Sequence, residues 1–483
     1  MNIDAQIDQF FAPVADFVSS VVFYTIPLTG QTEVKLILLW LVSAALFFTV
    51  YLGFINIRYF KHAIDVLRGK YDTDGDGQIS RFQALSASLS GTVGLGNIAG
   101  VAVAISVGGP GATIWMILMG IFGMSTKFAE VMCAVKYRHH PDPERPDRIS
   151  GGPMYYLRDA FSNYKIPYLG AFAAGLFALC AIGGSIGGGN MFQANQAYQQ
   201  FVNVTGGDAG FFADKGWLFG LILAVLVGVV IIGGIKSIAS VASKLVPVMG
   251  GIYLLAGFVV IGIHYESIPG ALALIWQEAF NLSAGFGGLL GVILIGVQRA
   301  TFSNEAGLGS AAIVHATAKT DDAVSQGLVG MLGPFIDTVV ICTVTALVIV
   351  ISGAYAGSEG MEGVALTSKA FASGISWFPY VLALTVFLFA YSTMITWSYY
   401  GLKGATFLFG EKRWVEIGFK LIFCICVVIG ASTKLDNIIA FTDAMILSMG
   451  IPNILGLYLL APEIRRDVKA YISRMKARQP VEA

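Results

Sequence analysis

The chain has 483 residues, 56% of them hydrophobic and only 12% charged, and its formal net charge is zero. A soluble chain carries about a quarter charged residues, so this composition excludes an ordinary water-surrounded globule. Zero net charge argues against nucleic acid as a partner. Mean hydropathy is +0.72, and apolar runs of about 20 residues, each able to cross a hydrocarbon core of about 30 Å, recur from Lys35 onward. The class is an all-α polytopic membrane protein whose first partner is the lipid bilayer.

Met1 to Tyr24 contains no Lys or Arg, so it lacks the basic start of a signal peptide. Residues 1–33 read as an extracytoplasmic, interfacial segment, with a short helix from Val14 to Leu28. Eleven transmembrane helices follow, at roughly 35–56, 84–107, 110–135, 168–200, 216–235, 245–263, 283–303, 326–352, 379–402, 415–431 and 438–461. Lys and Arg mark the cytoplasmic side of such a chain. Here they crowd one set of alternate loops, from Arg58, Lys61 and Arg81 through Lys136, Arg148, Lys236, Arg299, Lys319 and Lys403 to the tail. The other side has Lys35, Lys215, Lys369 and Lys434. The N-terminus is therefore expected outside and the C-terminus in the cytoplasm.

The loop from Tyr71 to Gln83 carries Asp72, Asp74 and Asp76 in the manner of a calcium-binding loop. Its twelfth position is Gln83 rather than the bidentate glutamate such a loop needs, so it reads as a solvated turn. The five cysteines lie in apolar runs without metal-ligand spacing and read as small buried residues.

Two spans are interrupted. Leu85 to Val101 includes Gly91-Thr-Val-Gly-Leu-Gly-Asn97, and the seventh span opens with Asn281-Leu-Ser-Ala-Gly-Phe-Gly-Gly-Leu-Leu290. Clustered glycines weaken the helical ladder, and non-helical backbone at membrane depth is tolerated only within protein or along a cavity. The second to sixth spans and the seventh to eleventh each open on such a helix. That is the pattern of an inverted repeat of five plus five. The expected organisation is an extra transmembrane helix at 34–56, a first repeat at 84–263, a second at 281–461 and a cytoplasmic tail at 462–483.

Helical spacing groups other polar residues. Asn190 and Gln193 share a face, as do Thr393 and Trp397 beside Ser392, and Phe286 and Leu290. Together these suit a neutral pocket for a small zwitterion. Carboxylates inside spans are candidate cation sites by default; Asp337 and Asp443 qualify, while Lys127 and Glu130 read as a structural ion pair. Neither a catalytic constellation nor a nucleotide-binding motif is present, so the chain reads as no enzyme, without cofactors, and dependent on an ion gradient for energy.

Gly94-Leu-Gly-Asn-Ile-Ala-Gly-Val-Ala, Gly108-Gly-Pro-Gly, Thr126-Lys-Phe-Ala-Glu130, Gly151-Gly-Pro-Met-Tyr, Asn190-Met-Phe-Gln193, Ser303-Asn-Glu-Ala-Gly-Leu-Gly-Ser310 and Tyr391-Ser-Thr resemble the alanine or glycine:cation symporter family. That family is similar in fold to the bacterial leucine transporter. The resemblance implies sodium-coupled uptake of alanine, glycine or a close relative across a bacterial-type inner membrane. It places substrate against Thr92, Gly94, Asn190, Gln193, Phe286, Leu290, Thr393 and Trp397. It places sodium against Asn97 and Thr92 at one site, and against Ser90, Val93, Ser392 and Thr393 at another. A proton-coupled carrier is the main alternative, and an uncoupled channel or sensor a more distant one.

Overall fold

Apolar side chains face outward in this protein. Leu221, Val225 and Val229, four apart on one helix, are exposed, as are Leu255, Phe258 and Val259 on the next. The interior packs apolar side chains such as Phe48, Phe128 and Phe389 and, among them, buries Ser90, Asn97, Gln193, Asp337 and Thr393. Lipid selects that arrangement, because backbone and side-chain polar groups must find their partners inside.

The structure is a computed structural model that describes the chain except for residues 1–2, 30–31, 72–74, 143–146, 283–284, 357–362 and 479–483. In chain order its principal helices are α1 (Ile3–Val22), α2 (Leu36–Tyr51), α3 (Arg81–Thr92), α4 (Val101–Gly108), α5 (Ala112–Lys136), α6 (Pro167–Ile186), α7 (Phe192–Val204), α8 (Gly216–Ile231), α9 (Gly234–Ile263), α10 (Gly285–Asn304), α11 (Ser310–His315), α12 (Ala323–Gly330), α13 (Thr343–Ile351), α14 (Phe378–Phe409), α15 (Arg413–Ser432), α16 (Leu435–Ser448) and α17 (Gly450–Arg478). Seven helices among the described residues are long and apolar enough to cross a membrane by length and composition, or eight if the bent pair of α3 with Gly96–Gly108 is one span. The other expected spans overlie α2 and α8, of 16 residues each, and α10.

The first interruption lies where it was expected. α3 ends at Thr92, the chain passes through Val93 to Leu95, and the axis turns by 51° before resuming. It resumes as a π-helical turn, Gly96–Gly100, ahead of α4. Further π-helical segments occur at Gly187–Met191 and Phe335–Cys342, and such segments recur at functional sites.

The second interruption is not at the expected place. Gly285 to Gly288 form the first turn of α10, which runs unbroken to Asn304; Ser283 and Ala284 lie outside the described residues. The break comes at Glu305–Gly309, where Glu305 (φ 55°), Gly307 (φ 91°) and Gly309 (φ 79°) are left-handed. Glycine adopts that region freely, whereas a glutamate there is uncommon. Because the break falls so late, Arg299 precedes it. Arg299 pairs with Asp443 beside Lys35, so it belongs to the side assigned to Lys35 rather than to the basic side.

The N-terminal segment also differs from expectation. α1 ends at Val22, and the chain then forms an antiparallel hairpin of β1 (Thr25–Thr29) and β2 (Thr32–Lys35). Pro27 falls in a strand of this hairpin, where its missing N–H breaks no helical ladder.

Candidate substrate and ion site

The break after Thr92 exposes backbone groups, and neighbouring helices take them up one at a time. Gln193, on α7, accepts the Leu95 N–H at 3.1 Å and donates its own amide to Gly188 O at 2.9 Å. Asn97 Oδ1 accepts the Gly94 N–H at 3.0 Å, and Asn97 Nδ2 donates to Asp337 O at 3.2 Å. The Trp397 indole donates to Gly91 O at 3.1 Å. Gly94 has no room for a side chain, since a Cβ there would run into Thr393 Oγ1 and approach Gln193 Oε1.

An oxygen cluster joins the end of α3 to α14. Thr393 Oγ1 donates to Ser90 O at 3.0 Å, Ser90 Oγ to Ser392 O at 2.7 Å, and Thr396 Oγ1 to Ser90 Oγ at 3.1 Å. Ser392 Oγ reaches Phe389 O at 3.0 Å. Every oxygen here belongs to a carbonyl or a hydroxyl, the donor type that hard cations prefer. Ser90, Thr393 and Ser392 are all buried, and Val93 lies at the bend beside them.

The expected residues do not all converge. Gly94, Gln193, Thr393 and Trp397 meet around the first break, with Ser90 and Ser392 alongside. Thr92 turns its hydroxyl back to Leu89 O at 3.5 Å. Asn190 donates to Phe423 O of α15 at 2.7 Å, away from the Gln193 contact. Leu290 lies twelve residues before Phe302, about 18 Å along α10 at about 1.5 Å per residue, so it does not share a pocket with Gln193. The Phe286 side chain lies outside the described residues. At the level of the first break α10 presents Phe302 instead, packed against Gly96 and edge-on to Phe192 with ring centroids 5.3 Å apart. Sequence reasoning missed Phe302 because it placed the break some twenty residues too early.

It also missed Glu305. This carboxylate is 2% exposed, accepts the Trp397 indole N–H at 3.1 Å through Oε1, and accepts the Ser310 hydroxyl through Oε2. Its signal was in plain view, since Glu305 directly follows an apolar span and is followed by Gly307 and Gly309. Around it, long side chains clamp the unwound backbone. Lys127 Nζ donates to Glu305 O at 2.9 Å, Glu130 Oε1 accepts the Gly309 N–H at 3.0 Å, and Asn453 Nδ2 donates to Gly307 O at 2.8 Å. Lys127 and Glu130 stand 3.9 Å apart, so their closer contacts are with the break rather than with each other.

The intramembrane carboxylates separate in role. Asp443 pairs with Arg299 and accepts the Gln298 amide at 2.7 Å. Asp337 Oδ1 accepts Ser303 Oγ at 2.6 Å and Thr338 Oγ1 at 2.8 Å. Among the described residues no group of three or more His, Cys, Asp or Glu is placed to hold a metal ion. In the acidic loop, Asp72 and Asp74 lie outside the described residues, while Asp76 contacts Arg138 and His140.

The profile of the sodium:alanine symporter family matches residues 19–483, nearly the whole chain. The chain belongs to the sodium:alanine symporter family. Its relatives in that family include the sodium/alanine symporter AgcS of Methanococcus maripaludis, 39% identical over 438 residues that make up 90% of this chain and 93% of that one. The probable sodium/glutamine symporter GlnT of Bacillus subtilis is 35% identical, covering 92% and 89%. The putative sodium/proton-dependent alanine carrier YrbD of the same organism is 32% identical, covering 96% and 93%. Among solved structures the chain is similar to MhsT in complex with L-phenylalanine, with a TM-score of 0.53 at 15% identity over 82% of this chain and 99% of that one. That likeness establishes a leucine-transporter-like fold and nothing about cargo. As a member of the sodium:alanine symporter family, the chain is a multi-pass membrane protein of amino-acid:cation symport, a transporter and not an enzyme.

Proposed function

We propose that this protein imports a small neutral amino acid, alanine or glycine, together with sodium, by alternating access across the cytoplasmic membrane. The observation that carries the reading is the crossing of α3 and α14, where Thr393 meets Ser90 O and crowds Gly94. One hydroxyl thereby touches both the cluster of carbonyl and hydroxyl oxygens and the interrupted backbone. Sodium in the cluster would be held by Ser90, Val93, Ser392 and Thr393, with a second ion beside Asn97 and Thr92. The amino-acid carboxylate would meet the backbone N–H groups near Gly94 and the Gln193 amide, its side chain resting near Trp397 and Phe302. Filling the cluster ties α14 to the first break, and a bundle so tied rocks as one body.

Eleven spans, an N-terminus outside and a C-terminus inside complete the reading, with the core split into five plus five after the extra helix. Charge segregation supports it. Asp4 and Asp8 of α1 reach Gly216 and Lys434, the ends that carry Lys215 and Lys434. Arg81, Arg138, Lys136 and Arg474 bond to Thr320, Ala318, Asp467 and Asp322 at the basic ends.

The test is sodium-driven uptake of labelled alanine into proteoliposomes at fixed pH. Replacing external sodium by choline should abolish accumulation above equilibrium, and a panel of competing amino acids then ranks the cargo. Full accumulation in choline would transfer the coupling to protons, the second reading that YrbD's printed name favours. Equilibration without accumulation would instead indicate a channel.

A further inference from the structure

On the side assigned to the N-terminus, a cavity of about 560 Å³ opens between α10, α16 and the N-terminal segment. Its deepest polar groups are Arg299 of α10 and Asp443 of α16, which form an ion pair with side chains only 7% and 4% exposed. This pair joins the half-helix that leads into the second break to the helix opposite it. Arg299 also lies over the Phe302 ring at 5.7 Å, and Phe302 packs against Gly96 at the first break. The ion pair is therefore one helical turn from the candidate site, and its separation would open a route from the cavity toward that site.

A third member comes from an unexpected direction. Lys35, the last residue of β2, donates to Gln298 Oε1 at 3.2 Å, and Gln298 passes its own N–H to Asp443 at 2.7 Å. The Lys35 ammonium also stands over the Phe23 ring at 4.2 Å. The segment that delivers it is fastened at two points. Asp4 accepts the Gly216 and Trp217 N–H groups at 2.9 and 3.2 Å, at the start of α8. Asp8 accepts the Lys434 N–H and the Asn437 amide, both at 2.9 Å, at the start of α16. Phe11 then packs edge-on against Phe441 of α16, with ring centroids 5.2 Å apart. Asp4, Asp8 and Phe11 all precede residue 19, where the family match begins.

We propose that Lys35 is a positioning residue of the outer gate formed by Arg299 and Asp443, and that α1 is the clasp that keeps it there. A buried ion pair regains its desolvation cost only when further hydrogen bonds satisfy it. Gln298, oriented by Lys35, supplies one of these to Asp443. Lys35 therefore favours the closed gate without touching substrate. The proposal rests on the symport reading for what passes the gate, but its test is independent of cargo.

The test uses the full-length protein with Ala440→Cys, a half-buried position that lines the cavity. The rate of labelling by a membrane-impermeant maleimide is measured in sodium and in choline, with the parent lacking Ala440→Cys as the blank. Lys35→Met should speed labelling in sodium about tenfold, the size of one charge-assisted hydrogen bond. It should raise the KM for the transported amino acid while leaving kcat near its original value, and Lys35→Arg should restore both. Asp4→Asn with Asp8→Asn, which removes the fastenings and leaves the gate residues intact, should move both quantities the same way. Normal labelling and normal KM in Lys35→Met, or failure of Lys35→Arg to restore them, overturns the proposal. If no variant transports alanine but the labelling pattern holds, the cargo assignment fails and the gate stands.

Discussion

The indole nitrogen of Trp397 lies 3.1 Å from Glu305 Oε1 and, through the same N–H, 3.1 Å from Gly91 O. One donor on α14 therefore joins the carboxylate of the second break to the backbone of the first. Both breaks and α14 must keep their spacing for this contact to survive, which makes it a gauge of that spacing.

Trp397→Phe should lower uptake and Glu305→Gln should lower it less, because a glutamine Oε1 still accepts. Leaving the Glu305 oxygen without its donor costs about 1–3 kcal/mol, or about 5- to 150-fold in alanine KM. In a double-mutant cycle the two changes should be strongly non-additive. Additive effects would mean that the contact does not couple the breaks.

Gly94→Ala should nearly abolish uptake, since the new methyl group collides with Thr393 Oγ1. Overpacking of this kind costs about 1–3 kcal/mol, and here the strain falls on the site itself. Purified yield should be close to that of the parent while alanine binding is lost. Full activity in Gly94→Ala would show that the α3–α14 crossing is wider than described.

Thr393→Ala should raise the sodium concentration for half-maximal uptake, and Gln193→Ala should raise the alanine KM, each about tenfold for one lost hydrogen bond at a buried site. Expression should be unchanged in both. Wild-type kinetics in the pair of variants would remove these residues from the pocket.

Lys127→Met should destabilise the protein more than any of these changes. It strips Glu305 O of its donor and leaves Glu130 without its nearest cation, a loss of about 3–5 kcal/mol for a broken buried pair. Asn453→Ala should cost less, because it frees Gly307 O, the Tyr156 hydroxyl and one Glu130 contact but removes no charge. Thermal unfolding in detergent, compared across the two variants, checks the order.

The first break was legible because the residues that weaken the helix there lie in one stretch, although Gln193 and Trp397 satisfy its backbone from afar. Gly91, Gly94 and Gly96 weaken the ladder, and Thr92 and Asn97 supply local polar groups. The second was misplaced because glycines alone do not break a helix. Gly285 to Gly288 sit in the first turn of α10, where their flexibility costs little. At Glu305–Gly309 the backbone departs from the helix because Lys127, Glu130 and Asn453, distant in sequence, satisfy its carbonyls and N–H groups. Phe302, Glu305 and the side to which Arg299 belongs all followed from that one error.

Composition and hydropathy by themselves determined a helical membrane protein, its approximate spans and one interrupted helix, since each of these depends on local propensity and on the solvent that each segment requires. Which glycine cluster unwinds, which amides turn inward, and which carboxylate meets a cation were decided only when helices far apart in the chain came together. A buried polar group takes its meaning from its partner, and the chain order does not name that partner.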